Sequence, residues 1–442
     1  MSEPGPADRR SGQARPIEVW IFNHYATAPD KPTGTRHYDL ARQLIGSGHR
    51  VTIFAAGFGH VTNREERLTG RAVYRVDRFD GVRFVWVRTI AHRGNNWRRA
   101  ANMLSYAAIV SVVQLRFRPP DVVIGSTVHP FAALAAYLIA SWRGARFFFE
   151  IRDLWPQTLI DMGELGESAP AARVLRLIER VLAERSDAVI ALLPGVGRYL
   201  SERRISARRV CYLPNGYDLG ARMASAGLPA DLQRLLRRWR SEGAFVAAYV
   251  GAHGRANGLG TLVDAAWMLR DDDQPVRILL VGDGPEKAGL VAAAQARGLD
   301  AIHFADPLPK SAVQDVLRHA DAAIFHLASN AVYRYGISPN KLFDYFVSER
   351  PVIFACDSTP DPVRLAGAGI SIAPDDPAAL ASAIRTLART PAVDRHAMGE
   401  SGRRYVAQHH DTAVLGTRLA RLLAPPAPSR LRVPWNPLRD RA

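Results

Sequence analysis

The 442-residue chain is too long for one ordinary domain, and at 48% hydrophobic it has apolar material for two cores. Its two cysteines, Cys211 and Cys356, form no C-x-x-C pair and no Cys/His cluster at ligand spacing; this argues against a disulfide scaffold or structural zinc site and fits a reducing cytoplasm. The net charge of +16 points only weakly to an anionic partner, because all but four of the 58 basic residues are arginine, a bias that genome base composition can produce.

Residues 1–15 read as a polar, disordered leader without the apolar stretch of a signal peptide. Strand-like runs then alternate with helix-like ones: IEVWIF, RVTIFAA, VRFVWV, DVVIGS, RFFFEI and DAVIALL, with RHYDLARQLIGSG showing helical spacing between the first two. Between VRFVWV and DVVIGS, residues 81–120 hold seven arginines and no carboxylate, around the apolar run NMLSYAAIVSVVQL. At 14 residues that run is short of the roughly 20 that cross a bilayer. It is either an interfacial helix on anionic lipid or a domain helix with a solvated basic rim. After SERRISARR the pattern restarts with VCYLP, FVAAYVG, RILLVG, IHFA, AAIFHL and PVIFA, again separated by helical segments. The fold class expected is α/β, with two doubly wound Rossmann-like domains facing across a cleft, 16–205 and 206–403. A terminal helix over 404–424 is expected to cross back to the first domain, followed by a Pro/Arg-rich tail, 425–442.

Strand ends and helix starts supply the candidate site. The loop APDKPTGTRHYDLARQL offers Gly34, with Lys31, Arg36 and His37 nearby; it lacks the G-x-G-x-x-G spacing of dinucleotide binding. His129 follows DVVIGS, as a functional or merely a turn residue, and Arg152 and Asp153 follow RFFFEI. In the second half, His253, Arg255 and Asn257 occupy a strand-to-helix loop, and Gly282-Asp283-Gly284 a tight turn. The run RDDDQ at 270–274 reads as solvated charge.

GISPNKLFDYFVSERPVI places Lys341 in a helix's first turn, where free N–H groups already carry partial positive charge. Ser338 is the expected N-cap, with Pro339 as first helical residue and Asn340 next. Lys341, Asp344, Tyr345 and Ser348 then share a polar face. Either a diphosphate binds at this helix start, with Asp344 accepting from ribose hydroxyls, or Lys341 and Asp344 form an ordinary pair on a solvated face.

PTGTRHYDLARQLIGSGHRVTIFA, EIRDLWPQT, LPNGYD, YVGAHGRANGLGTLVDAA, VGDGPE and GISPNKLFDYFVSERPVI, in this order, resemble the GT-B glycosyltransferases of family four, in the bacterial surface-polysaccharide branch similar to L-fucosamine transferases. The resemblance implies a UDP-sugar donor, transfer with retention, and no metal or other cofactor. Asp344 matches the second acid of the E-x7-E motif, Gly34 the diphosphate loop, and Asn215, Gly216 and Asp218 the turn that opens the second domain. Gly336 stands where the first acid is usual, Ala252 and Asn257 where an arginine and a lysine are usual, and Arg152 where a histidine is common. Lys341, with Arg255 or His253, would then replace the missing charge. Glu349 takes the place of a helix-ending glycine.

The expected activity is sugar transfer to a lipid-linked saccharide in the assembly of O-antigen, capsule or exopolysaccharide. Lys341, Gly34, Arg152, Asp153 and His129 are its catalytic candidates; Asp344, Ser338, Pro339, Asn340, Gly336, His253, Arg255, Gly282, Asp283, Gly284 and Asn215 are its donor-binding ones. A cytoplasmic location is expected, peripheral at the inner membrane face through 81–120. The alternatives are a nucleotide-sugar epimerase of the same architecture and a non-enzymatic protein binding anionic surfaces. No interleaved aromatic platform supports nucleic acid as partner.

Overall fold

The computed structural model describes residues 15–31, 35–59, 62–92, 94, 97–221 and 226–425. The leader apart from Arg15, the tail apart from Pro425, and the loop residue Gly34 lie outside the described residues.

The first half is a sheet built from β1 (Glu18–Phe22), β2 (Arg50–Ala56), β5 (Tyr74–Phe79), β6 (Val82–Val87), β7 (Val122–Ser126), β8 (Arg146–Ile151), β9 (Ala188–Ala191) and β10 (Val210–Tyr212). A two-residue hairpin, β3 (Phe58–Gly59) and β4 (Arg64–Glu65), stands apart. The order is β10-β9-β8-β7-β1-β2-β6-β5, parallel except at β5. Side chains alternate between faces: Trp20 and Phe22 pack under α2 (Trp97–Val113), α3 (Pro130–Arg143), α5 (Pro170–Arg185) and α6 (Val196–Glu202), while Val19 and Ile21 pack under α1 (Arg36–Gly46). A short α4 (Gln157–Asp161) follows β8.

The second sheet is wholly parallel, in the order β13-β12-β11-β14-β15-β16. Its strands are β11 (Phe245–Val250), β12 (Val276–Val281), β13 (Ile302–Ala305), β14 (Ala322–His326), β15 (Val352–Ala355) and β16 (Gly369–Ile372). Helices α7 (Ala230–Ser241), α8 (Gly260–Leu269), α9 (Lys287–Ala296), α10 (Lys310–His319), α11 (Asn340–Val347), α12 (Pro362–Ala366), α13 (Pro377–Arg389) and α14 (Ala392–His409) surround it.

Three sequence expectations shift. VCYLP does not open the second domain: it forms β10, paired in parallel with β9, so the first sheet runs to Tyr212 and not to 205. The segment 404–424 is not one helix. Its start completes α14, and after a break at His410-Asp411 the chain continues as α15 (Thr412–Leu423), whose Leu415, Leu419 and Leu423 pack under the first sheet. The Arg-rich stretch is not one basic surface either. Arg83 faces Thr52 and Glu18 on the sheet, Arg88 bonds the carbonyls of Gly70 and Ala72, and Arg93 lies outside the described residues. The helix α2 within it buries Tyr106, Val110 and Val113 against the sheet and leaves Trp97, Leu104 and Val112 exposed.

Two connections join the halves. At one, the crossing segments run side by side, with Tyr217 N–H donating to His410 C=O (2.9 Å) and Thr412 N–H to Tyr217 C=O (3.1 Å). At the other, the turn at Ala331–Tyr335 docks on the first domain. Gly195 N–H donates to Tyr335 C=O (2.8 Å), Tyr335 stacks edge-on against Tyr199, and its hydroxyl donates to Glu202.

Candidate active site

The helix carrying Lys341 starts one residue later than the sequence suggests. Pro339, with extended ψ of 132°, is the N-cap and makes no side-chain cap bond, and Asn340 is the first helical residue. Ser338 is not a cap because the linker takes its polar groups: its hydroxyl accepts from Asn215 N–H (2.9 Å), and its carbonyl accepts from the Asn215 amide (2.7 Å). Tyr345 does not belong to the polar face. It is fully buried, and its hydroxyl both donates to and accepts from the backbone of Val250, locking α11 to the end of β11.

Lys341 turns inward, toward the second sheet's strand ends. Its Nζ donates to Asn257 Oδ1 at 2.6 Å and to the Tyr249 hydroxyl at 3.3 Å, and lies 4.8 and 4.7 Å from the ring centres of Tyr249 and Phe325. Two aromatic faces favour the ammonium, yet burial lowers its pKa to about 7. Burial has the opposite effect on Asp344, raising its pKa to about 6 with Lys310 only partly countering it. Asp344 and Asn340 open on a cavity of about 550 Å³ between the halves. From the first domain Arg36, Asp39 and Arg42 line it, from the linker Asn215 to Asp218, and from the second domain Lys310.

The glycine turn after β12 has a packing reason. At Gly282 (φ +148°) a Cβ would lie 2.0 Å from Gly251 O, and at Gly284 (φ +156°) 2.5 Å from His253 O. Backbone thus presses on backbone, and Asp283 C=O accepts from His253 N–H (2.8 Å). His253 is fully buried between the rings of Tyr249 and Phe304, and among the described residues neither ring nitrogen has a hydrogen-bond partner. Arg255 is exposed on a 3₁₀ turn, so of the two expected replacements neither joins Lys341. Gly336 (φ +90°) has no room for an acid: a Cβ there would lie 2.5 Å from Pro194 Cγ across the cleft.

On the first-domain wall, Asp153 lines a small recess with Thr127, Trp155 and Glu179, and Arg152 N–H donates to Thr127 Oγ1 (3.0 Å). His129 is not placed for proton transfer. Its Nδ1 accepts from Ala132 N–H as the N-cap of α3, its Nε2 meets His24 Nδ1 at 2.7 Å, and burial lowers its pKa to about 3.

Sequence reasoning missed Glu150. Arg36 donates to Glu150 Oε1 and to the linker carbonyls of Leu213 and Pro214, while His37 Nε2 lies 2.6 Å from Glu150 Oε2. Burial alone would raise the Glu150 carboxyl; the His37 ring and the Arg36 guanidinium hold it well below the usual range. Thus the start of α1, the end of β8 and the linker form one charged, buried knot.

This architecture matches known sequence families in both halves. A family model described as a glycosyl transferase 4-like domain matches residues 33–216, and one described as glycosyl transferases group 1 matches 244–390. The chain belongs to the GT-B glycosyltransferases of family four. WcaI of Escherichia coli, named as a colanic acid biosynthesis glycosyl transferase, is 25% identical over 281 residues, 62% of this chain and 68% of WcaI. Among solved structures, sucrose-phosphate synthase of Thermosynechococcus elongatus superposes with a TM-score of 0.67 at 17% identity, covering 92% of this chain and 98% of that one. HepE of Anabaena, in complex with UDP and glucose, gives 0.64 at 15%, covering 92% and 99%. The family-four glycosyltransferase therefore has relatives in polysaccharide biosynthesis and a fold shared with a UDP-binding enzyme.

Proposed function

We propose that this glycosyltransferase moves a sugar from a UDP-sugar to a hydroxyl of a lipid-linked saccharide, with retention and without a metal, in bacterial surface-polysaccharide assembly at the cytoplasmic face of the cell membrane. The observation that carries the reading is Lys341, an ammonium held by Asn257, Tyr249 and Phe325 at the start of the helix whose Asp344 opens on the cleft.

In the transfer, the bond from the anomeric carbon to the diphosphate oxygen breaks, the acceptor hydroxyl takes its place on the same face, and its proton passes to the departing diphosphate. Charge grows on the diphosphate oxygens, so the protein's task is fixed positive potential there. Lys341 and the first N–H groups of α11 supply it. Asp344 receives the ribose hydroxyls. Asn340 and the turn at 282–284 wall the donor, while Arg152 and Asp153 face it from the acceptor side.

Incubation with UDP-sugars, with and without a polyprenyl-diphosphate saccharide and with and without EDTA, tests this by mass spectrometry of the lipid product. Transfer that survives EDTA is expected, and Lys341→Ala should lower turnover about 10²–10³-fold with an unchanged melting transition. Near-normal turnover of that variant would sink the lysine's role, and an epimerised nucleotide sugar without transfer would replace the reading.

A further inference from the structure

Strand β14 ends on His326, a fully buried histidine for which the proposed transfer has no use. Its ring bridges two loops. Nδ1 lies 2.7 Å from the backbone oxygen of Asn257 in the loop after β11, and Nε2 lies 3.3 Å from the backbone nitrogen of Asp375 in the loop after β16. A carbonyl only accepts and a backbone N–H only donates, so the proton is on Nδ1 and Nε2 is the acceptor. Burial lowers the pKa of the ring and keeps it neutral in that tautomer. The Asp375 carboxylate does not compete for the ring: Oδ1 is 4.0 Å from Nε2, and Oδ2 accepts from Ser329 N–H at 2.7 Å.

The segment held in this way has little else to fix it. Residues 255–257 form one 3₁₀ turn, and Arg255 and Ala256 are exposed. Ala328 N–H donates to Ala256 C=O (3.0 Å), and His326 takes the next carbonyl. The ring fits because residue 258 is glycine: a Cβ there would lie 2.9 Å from His326 Cε1 and 3.0 Å from Asp375 Oδ1. On the far side of the turn, Asn257 Oδ1 accepts from Lys341 Nζ at 2.6 Å. One residue therefore joins the two groups, its carbonyl fixed by the imidazole and its side chain holding the ammonium.

We infer that His326 is a positioning residue for the donor site: through Asn257, its neutral Nδ1–H ring sets where the Lys341 ammonium sits. The inference rests on the proposed role of Lys341 at the diphosphate only for its effect on affinity, because the positioning is measured without donor. The other titratable groups facing Lys341 are the Tyr249 hydroxyl and the Cys356 thiol. Burial pushes the thiol up to about 12 and the hydroxyl higher still, so both are neutral near pH 7. The Asn257 amide oxygen, at the shorter of the two hydrogen-bond distances, is then the main polar acceptor that keeps the proton on Lys341. If the turn shifts, the ammonium loses that acceptor and gives up its proton at lower pH.

Nuclear magnetic resonance of the full chain tests it. The sequence has four lysines, so with ¹³C at lysine Cε the Lys341 signal is assigned by its loss in Lys341→Arg and followed against pH. In His326→Asn, whose amide nitrogen takes the place of Nδ1–H, the Lys341 titration should match the parent's, and UDP affinity at pH 7 should stay within about threefold. In His326→Gln, whose amide nitrogen falls at the Nε2 position, the bond to Asn257 is lost; the titration should fall by about one pH unit and UDP affinity by about tenfold. Both variants lose the ring, so a role in packing alone would move the two alike. Independently of any variant's folding, ¹⁵N spectra of the parent's histidines should show the His326 ring neutral and protonated on Nδ1 between about pH 5 and 8. A ring protonated on Nε2, a Lys341 titration unchanged in His326→Gln, or one that falls equally in both variants would overturn the inference. A titration that falls as stated while UDP affinity is unchanged would uphold the positioning and remove the diphosphate as the partner of Lys341.

Discussion

Lys341 Nζ sits 2.6 Å from Asn257 Oδ1, and residue 257 is where the family resemblance would put a lysine of its own. The ammonium here sits at the start of α11, and Asn257 in the loop after β11 is its hydrogen-bond acceptor. Because burial lowers this lysine's pKa to about 7, a bound diphosphate would draw a proton onto it. UDP affinity should therefore fall as pH rises above about 7, by up to about tenfold per pH unit. In Lys341→Arg, which does not titrate there, the slope should flatten. Calorimetry in buffers of different ionisation enthalpy measures the proton uptake, and an equal slope in both proteins would remove Lys341 as its source.

Asp344 trades stability for its position. Its folded pKa of about 6 lies above the model-compound value of 3.8, so the folded state holds the proton more tightly. The resulting stability is fully present below about pH 4 and is lost as pH rises through about 6. Asp344→Asn should raise stability at pH 7 by about 1–3 kcal/mol, flatten its pH dependence between 4 and 6, and weaken UDP binding. Denaturant titrations across that pH range, with a UDP titration at pH 7, check all three effects.

Most of the architecture was legible because buried parallel strands are continuous apolar runs, and all twelve such runs became strands. The edge strand YRVDRF escaped that rule: it is half solvated and charged, and its signal was the Asp80-Gly81 turn, with φ of +46° and +82°, that pairs it with β6. VCYLP was read as a strand, but no local pattern says which sheet accepts it. At the site, Lys341 and Asp344 were visible from helix electrostatics. Glu150 was not, because its partners Arg36 and His37 are more than 100 residues away in the chain. One compositional signal went unused. In a chain that writes almost every cation as arginine, Lys31 and Lys310 both line the cleft cavity, and Lys341 sits in the first turn of the helix whose Asn340 and Asp344 line it.

Glu349 ends α11 with φ +58°, the left-handed conformation that glycine adopts without strain. Its carbonyl is also hemmed in by Gly399, where a Cβ would lie 2.0 Å away, so the turn cannot relax. Glu349→Gly should remove about 1 kcal/mol of strain. The loss of its 3.3 Å ion pair with Arg403, mostly solvated, would offset only part of that. A net gain of about 0.5–1 kcal/mol in chemical denaturation is expected, and a loss would mean that the ion pair outweighs the backbone.

The missing acid at Gly336 gives the sharpest contrast between resemblance and geometry. A family comparison suggests that Gly336→Glu restores a donor contact. The structure says otherwise, because Pro194 Cγ would lie 2.5 Å from the new Cβ and the φ of +90° disfavours any side chain. Gly336→Ala should destabilise by about 1–2 kcal/mol from backbone strain, plus the clash. Pro194→Ala removes the ring atoms that clash but leaves φ as it is, so the double variant should recover the steric part only. A double-mutant cycle should then show a favourable coupling of about 1 kcal/mol between the two positions. Gly336→Glu should lower turnover, since it pushes apart the contact in which Gly195 and Tyr335 join the two domains. Additive single effects, or a faster Gly336→Glu enzyme, would mean that the domains close differently from the arrangement described.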